Sequence, residues 1–219
     1  MPAMPQGDVR LRWAATAVFA LTVAQLLVAT LLPDLEQFEG KAFGWRLVAY
    51  PVLMLVVPAL WWVAHRRPQD EEPAPWGAFA LVMLPFLVDV TGNSLDLYDS
   101  IGWWDDANHF FNWIFLCAGI GLIVCRRLQP DWAVVVVVAG IGAVLAIGWE
   151  LGEWFAFIRH GTEIDTAYED TLGDQTLGTL GATVAGLAVL RVRRRAATKP
   201  TGPSTDGRAR PSAPAAEAG

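Results

Sequence analysis

Charge is scarce in this chain. Only 17% of its 219 residues are Asp, Glu, Lys or Arg, against about a quarter in ordinary soluble domains. Cysteine is nearly absent too. Cys117 and Cys125 are eight residues apart in one apolar run. On a helix rising about 1.5 Å per residue their Cα atoms would lie about 12 Å apart, too far to bridge. That excludes a disulfide-built scaffold and leaves both as small core residues. No HExxH, GxSxG, Walker A or CxxC pattern occurs, and neither Ser94 nor Ser100 has the spacing of an activated nucleophile. The chain therefore carries no ready-made protease, hydrolase, nucleotide or redox signature.

What is present instead is apolar length. Hydrophobic residues make up 54% of the chain, and a membrane-crossing helix needs roughly 20 of them in succession. Six such spans fit, at about 13–32, 43–64, 76–95, 105–124, 132–155 and 171–190. Pro51, Pro58 and Pro85 fall inside them, which membrane helices tolerate as kinks. The first run, up to Leu32, is too long for the apolar region of a signal peptide and has no small-residue cleavage pattern before Pro33, so it reads as a retained span. The expected fold is an all-α integral membrane protein with a short N-terminus over 1–12, a six-helix membrane domain over 13–191 and a disordered tail over 192–219. The tail's Ala, Pro, Gly, Ser and Arg cannot bury a core.

The net charge of −6 hides a sorting by position. From Arg191 onward there are seven basic residues and two acids; the remainder holds nine basic residues and twenty acids. Thirteen Lys and Arg precede the first span, follow the even-numbered spans or lie in the tail, and only Lys41, Arg46 and Arg159 fall in the other gaps. Positive charge stays on the cytoplasmic side, so both termini are expected inside. Trp45, Trp103, Trp104 and Trp154 mark one interface and Trp61, Trp62, Trp76 and Trp132 the other. Gly140, Gly142, Gly148, Gly178, Gly181 and Gly186 suit close helix packing in lipid. The tail arginines are accounted for by topology and contact with anionic lipid, and no nucleic-acid partner is expected.

Ionisable residues inside a membrane mark function by default, and here they gather in the outer halves of spans three to six. Asp89, Asn93 and Asp96 share one helical face at i, i+4 and i+7. Span four opens with Asp105, Asp106, Asn108, His109 and Asn112; span five ends with Glu150 and Glu153; span six opens with Asp170 and Asp174. Asp105 and Asp106 also suit a helix N-terminus, where acids complement the dipole. So many carboxylates in a low-dielectric pocket must share protons, hold a metal ion or bind a cationic substrate. Asp106, His109, Glu150, Glu153, Asp170 and Asp174 form a candidate divalent-metal set, with His109, Glu150 and Glu153 as candidate catalytic groups and Asp89, Asn93, Asp96 and Asn112 as an adjoining polar face.

Asp106-x-x-His109-Phe110, Glu150-x-x-Glu153 and Asp170-Thr171-x-x-Asp174, with Gly178 and Gly181 beyond, resemble the YjdF-like family of uncharacterised bacterial inner-membrane proteins. More distantly they resemble the VanZ-like family, whose pattern is D-x-x-H, E-x-x-Q and D-x-x-x-N. Glu153 stands where VanZ-like proteins have Gln, and Asp174 where they have Asn, so the YjdF-like match is closer. The resemblance covers roughly residues 80 to 185. It implies a multi-pass protein of the bacterial cytoplasmic membrane with no assigned chemistry. The VanZ-like association with lower susceptibility to a glycopeptide antibiotic points to the cell envelope.

Three roles stay open on the sequence. The first is an envelope-side enzyme or binding protein, acting with a divalent metal on a lipid or lipid-linked ligand. The second is a proton-coupled transporter, which needs a polar path through the nearly apolar inner halves of these spans. The third is a structural or assembly protein whose polar cluster holds helices together.

Overall fold

The computed structural model describes residues 6–67, 72–156, 158–160 and 167–198. Its helices are α1 (Gln6–Leu31), α2 (Phe43–Ala64), α3 (Trp76–Ser94), the short α4 (Leu97–Ser100), α5 (Trp104–Val124), α6 (Asp131–Ala156) and α7 (Ala167–Ala197), with one 3-10 turn at Ile158–His160. No strand occurs among the described residues. Six of the helices are long and apolar enough to cross a membrane. The reason is physical: in lipid every backbone N–H and C=O must be satisfied within its own segment, and a helix does so. The protein is a six-helix membrane bundle, and an even number of crossings puts both ends on the same face.

Two helices outrun their expected limits. α1 begins at Gln6, and α7 begins at Ala167 and runs on to Ala197. The start of the expected tail is thus helical. Arg194 pairs with Asp131 at 2.8 Å, and Arg193 donates to the Leu128 carbonyl at 2.9 Å, so polar contacts hold the last turns after the apolar run ends. Residues 199–219, the rest of the tail, lie outside the described residues.

The bundle has two halves. Leu26, Tyr50, Met54, Met83, Phe86 and Val90 centre a core among α1, α2 and α3. Trp113, Cys117, Val134, Val138, Ala182 and Val189 centre another among α5, α6 and α7. Both cysteines are buried and unpaired there. α3 and α5 join the halves: a Cβ placed on Gly119 would come within 2.7 Å of the Ala78 carbonyl oxygen. Trp149 of α6 packs against both cores.

The expected glycine packing is partly as read. A Cβ on Gly181 would sit 2.3 Å from the Phe110 carbonyl oxygen, and one on Gly142 would sit 2.1 Å from the Ala182 Cβ. Only glycine permits those approaches. Gly140 and Gly148 differ. A Cβ on either would meet no neighbouring element within 4 Å, because both point off the outer face of α6.

One end of the bundle collects basic residues. Arg12 lies over the Trp76 ring, Arg126 pairs with Glu72, and Arg193 and Arg194 close the α6–α7 end. The polar cavity opens at the other end.

Candidate functional site

A cavity of about 460 Å³ lies between the two halves. Its mouth carries Lys41, Asp99 and Asp170, and its floor is Pro85, Phe86, Trp113, Leu116 and Trp149. Leu116 is twelve residues into α5 from Trp104, which at about 1.5 Å per residue is roughly 18 Å along the helix. The cavity therefore runs from the interface well into the bundle.

On one wall Asp89 is fully engaged. Its Oδ2 accepts from Arg46 Nη1 at 2.9 Å and from the Tyr50 hydroxyl at 2.6 Å, and its Oδ1 accepts from the Tyr98 hydroxyl at 2.8 Å. Asn93, 3% exposed, donates to the Asp89 carbonyl at 3.0 Å. Asn108 donates to the Tyr98 oxygen and Asn112 donates to Asn108 Oδ1, each at 3.1 Å. A buried carboxylate with a guanidinium and two hydroxyls is paired and satisfied. Burial, and then the Asp89 carboxylate, push the Tyr98 phenol well above its ordinary range, so Tyr98 remains a donor.

On the other wall stands the one imidazole. His109 Nε2 lies 3.7 Å from Asp105 Oδ1 and 3.6 Å from Asp174 Oδ2, and Nδ1 lies 3.9 Å from Glu150 Oε1. The His109 side chain is 10% exposed, that of Glu150 5% and that of Asp174 4%. Nδ1 is buried and has no hydrogen-bond partner, as is Asn112 Oδ1. Two triads bring their ligand atoms within 4.8 Å of one another: Asp105, His109 and Asp174, and His109, Glu150 and Glu153. A divalent ion about 2.0–2.3 Å from each ligand atom needs those atoms about 3–4 Å apart, so the Nε2 set fits with a small contraction.

Two of the expected positions fall elsewhere. Asp106 is exposed, and Asp105 takes the place beside the imidazole. One residue along a helix turns the side chain by about 100°. Asp96 leaves the Asp89–Asn93 face because α3 ends at Ser94; Asp96 sits in the left-handed region at φ 57° and is exposed. Its carbonyl accepts the Ser100 hydroxyl and starts α4. Asn112, Glu153, Asp170 and Asp174 all line the cavity, with Asp170 exposed at the mouth. Tyr98 and the guanidinium of Arg46, with Tyr50 bonded to Asp89 behind them, make a wall that motif reasoning does not reveal. At the rim Lys41 pairs with Asp99 at 2.5 Å, and that hydrogen bond holds the Asp99 carboxyl below its ordinary value.

The family described as "Predicted membrane protein (DUF2238)" matches residues 14–195. The chain belongs to that family. No curated protein and no solved structure matches it. The DUF2238 match takes in most or all of each crossing helix and every residue of the cavity wall.

Proposed function

We propose that this DUF2238 protein binds a divalent cation at the envelope side of a bacterial cytoplasmic membrane. In this reading His109 Nε2, Asp105 and Asp174 are its ligands. The observation that supports it most is the 3.6–3.7 Å spacing of one imidazole nitrogen and two carboxylate oxygens, two of the three side chains being nearly buried. Glu150 then has a defined part. With Nε2 on the metal, the imidazole proton sits on Nδ1 and points at Glu150, the arrangement that fixes tautomer and ring orientation in many metal sites. Nitrogen with carboxylate oxygens suits Zn²⁺ or Mn²⁺.

The charge sorting supports a basic end in the cytoplasm and a cavity mouth outside. The likeness to YjdF-like and VanZ-like proteins agrees with an envelope role. Polar mouth and apolar floor suit metal-assisted binding or chemistry on a lipid or lipid-linked ligand, with Glu153 on the cavity wall as the candidate base. The transporter reading has less support, because the floor facing the inner side is apolar. The structural reading gains Asp89, whose partners on α2, α3 and α4 make it a clamp rather than an acid in need of a metal.

Metal analysis and calorimetric Mn²⁺ and Zn²⁺ titration of the purified chain test the site. Stoichiometric binding by the wild type is expected, lost in His109→Ala and Asp174→Asn and kept in Asp106→Asn. Glu150→Gln should weaken it by about 10–100-fold. If neither ion binds, and chelator and Asp174→Asn both leave thermal unfolding unchanged, the metal reading fails.

A further inference from the structure

The cavity is larger than a metal ion requires. An ion with six waters takes under about 200 Å³ at about 30 Å³ per water, whereas the cavity holds about 460 Å³. Its charge does not close on one ion either. Six carboxylates and two basic side chains line it. Lys41 is taken by Asp99 and Arg46 by Asp89. Asp105 and Asp174 belong to the cation set proposed above. Glu153 and Asp170 are left; Asp170 is open to solvent at the mouth, and among the described residues no Lys or Arg nitrogen lies within ion-pair distance of Glu153. Asn112 Oδ1, buried in the wall, lacks a partner, and an amide oxygen only accepts. An N–H donor carrying positive charge would satisfy both the Glu153 carboxylate and the Asn112 oxygen.

The floor adds the rest. Phe86, Trp113 and Trp149 present aromatic rings, and Leu116 and Pro85 fill between them. Rings beside carboxylates hold ammonium groups through their negative faces, and an apolar floor rewards a hydrocarbon tail. An anionic headgroup would meet the surplus acids.

We propose that the cavity takes an alkylammonium amphiphile, such as an amine-bearing lipid headgroup with its chain. The ammonium sits beside Glu153, and the chain lies on Phe86, Trp113, Leu116 and Trp149. This rests on the cation-site reading for the charge left over once Asp105 and Asp174 are engaged.

The test is calorimetry on the full chain in phosphatidylcholine nanodiscs, metal-loaded and chelated, with empty nanodiscs subtracted. The probes are butyl-, hexyl- and octylammonium, with hexanoate and hexanol as controls. Saturable hexylammonium binding is expected, with none for hexanoate or hexanol. Each added CH₂ should tighten binding about 4-fold, the equivalent of about 0.8 kcal/mol per buried CH₂. Glu153→Gln should weaken it at least 10-fold, and Leu116→Trp, which fills the floor, should flatten the chain-length series. Hexanoate binding as tightly as hexylammonium overturns the proposal. So does an affinity independent of chain length, the mark of a soluble amine, or a Glu153→Gln protein that binds like wild type. Protein that holds metal but ignores hexylammonium sinks this inference alone; protein that takes up neither sinks both.

Discussion

Asn108 donates a hydrogen bond to the Tyr98 hydroxyl oxygen over 3.1 Å, and the Tyr98 hydroxyl in turn donates to Asp89 Oδ1 over 2.8 Å. Asn108 immediately precedes His109 in α5. The clamp on Asp89 and the candidate metal centre are therefore adjoining parts of one cavity, linked through a side chain on a four-residue helix.

The Arg46–Asp89 pair should behave as a buried ion pair, since both side chains are mostly covered. Arg46→Met alone should destabilise the protein by about 3–5 kcal/mol by stranding the carboxylate. Arg46→Met with Asp89→Leu should recover at least half of that. Thermal unfolding in detergent measures both, and a double variant no better than the single one would show that the pair is not what holds α2 to α3.

Tyr98 gives a pH signature. Its phenol is raised in the folded protein by burial and Asp89, against about 10 in the unfolded chain. Below that pH the phenol is neutral in both states and its contribution is full. Above it the unfolded chain ionises first, so stability falls as pH rises. Tyr98→Phe should cost about 1–3 kcal/mol at pH 8, because Asp89 loses a donor, and should have a shallower decline between pH 9.5 and 11. Parallel wild-type and Tyr98→Phe curves would refute the assignment.

Gly181 and Gly148 should respond oppositely to alanine. At Gly181 a methyl would meet the Phe110 carbonyl oxygen at 2.3 Å, so Gly181→Ala should cost about 1–3 kcal/mol. At Gly148, with open space around it, Gly148→Ala should be neutral or stabilising by up to about 1 kcal/mol through helix propensity. Unfolding midpoints of the two variants read the contrast directly.

Orientation is open to labelling. In a Cys117→Ala, Cys125→Ala background, Ser100→Cys should react with an impermeant maleimide added to intact cells, and Pro68→Cys should react only after lysis. The reverse pattern would put the cavity in the cytoplasm. By the same charge sorting the loop at Gly161 is expected outside; it lies beyond the described residues.

The spans were legible because an apolar run of membrane length has few other uses, and the limits of α2 coincide with the expected 43–64. His109, Glu150 and Asp174 could be picked out because acids and imidazole are costly at that depth. Arg46 was harder. Near the start of an apolar run it reads as an interfacial anchor, and only the packing of α2 on α3 shows that it faces Asp89, 43 residues later. Tyr50 and Tyr98 carry no charge and gave no signal at all. The choice of Asp105 over Asp106 turns on where α5 begins, and the loss of Asp96 turns on where α3 stops. Helix ends are decided by a single backbone torsion, to which hydrophobic periodicity is blind.

The two walls of the cavity also differ in when their partners are synthesised. Arg46 and Tyr50 emerge from the ribosome before Asp89, so that acid reaches the bilayer with its counter-charge already there. His109 and Glu150 have no such provision. Asp174 belongs to the last crossing helix, and until α7 is inserted the imidazole lacks the carboxylate 3.6 Å from its Nε2. A nascent chain stalled before α7 would carry a finished clamp and an unfinished His109 cluster, which makes completion of the final helix the moment at which the proposed cation site would come together.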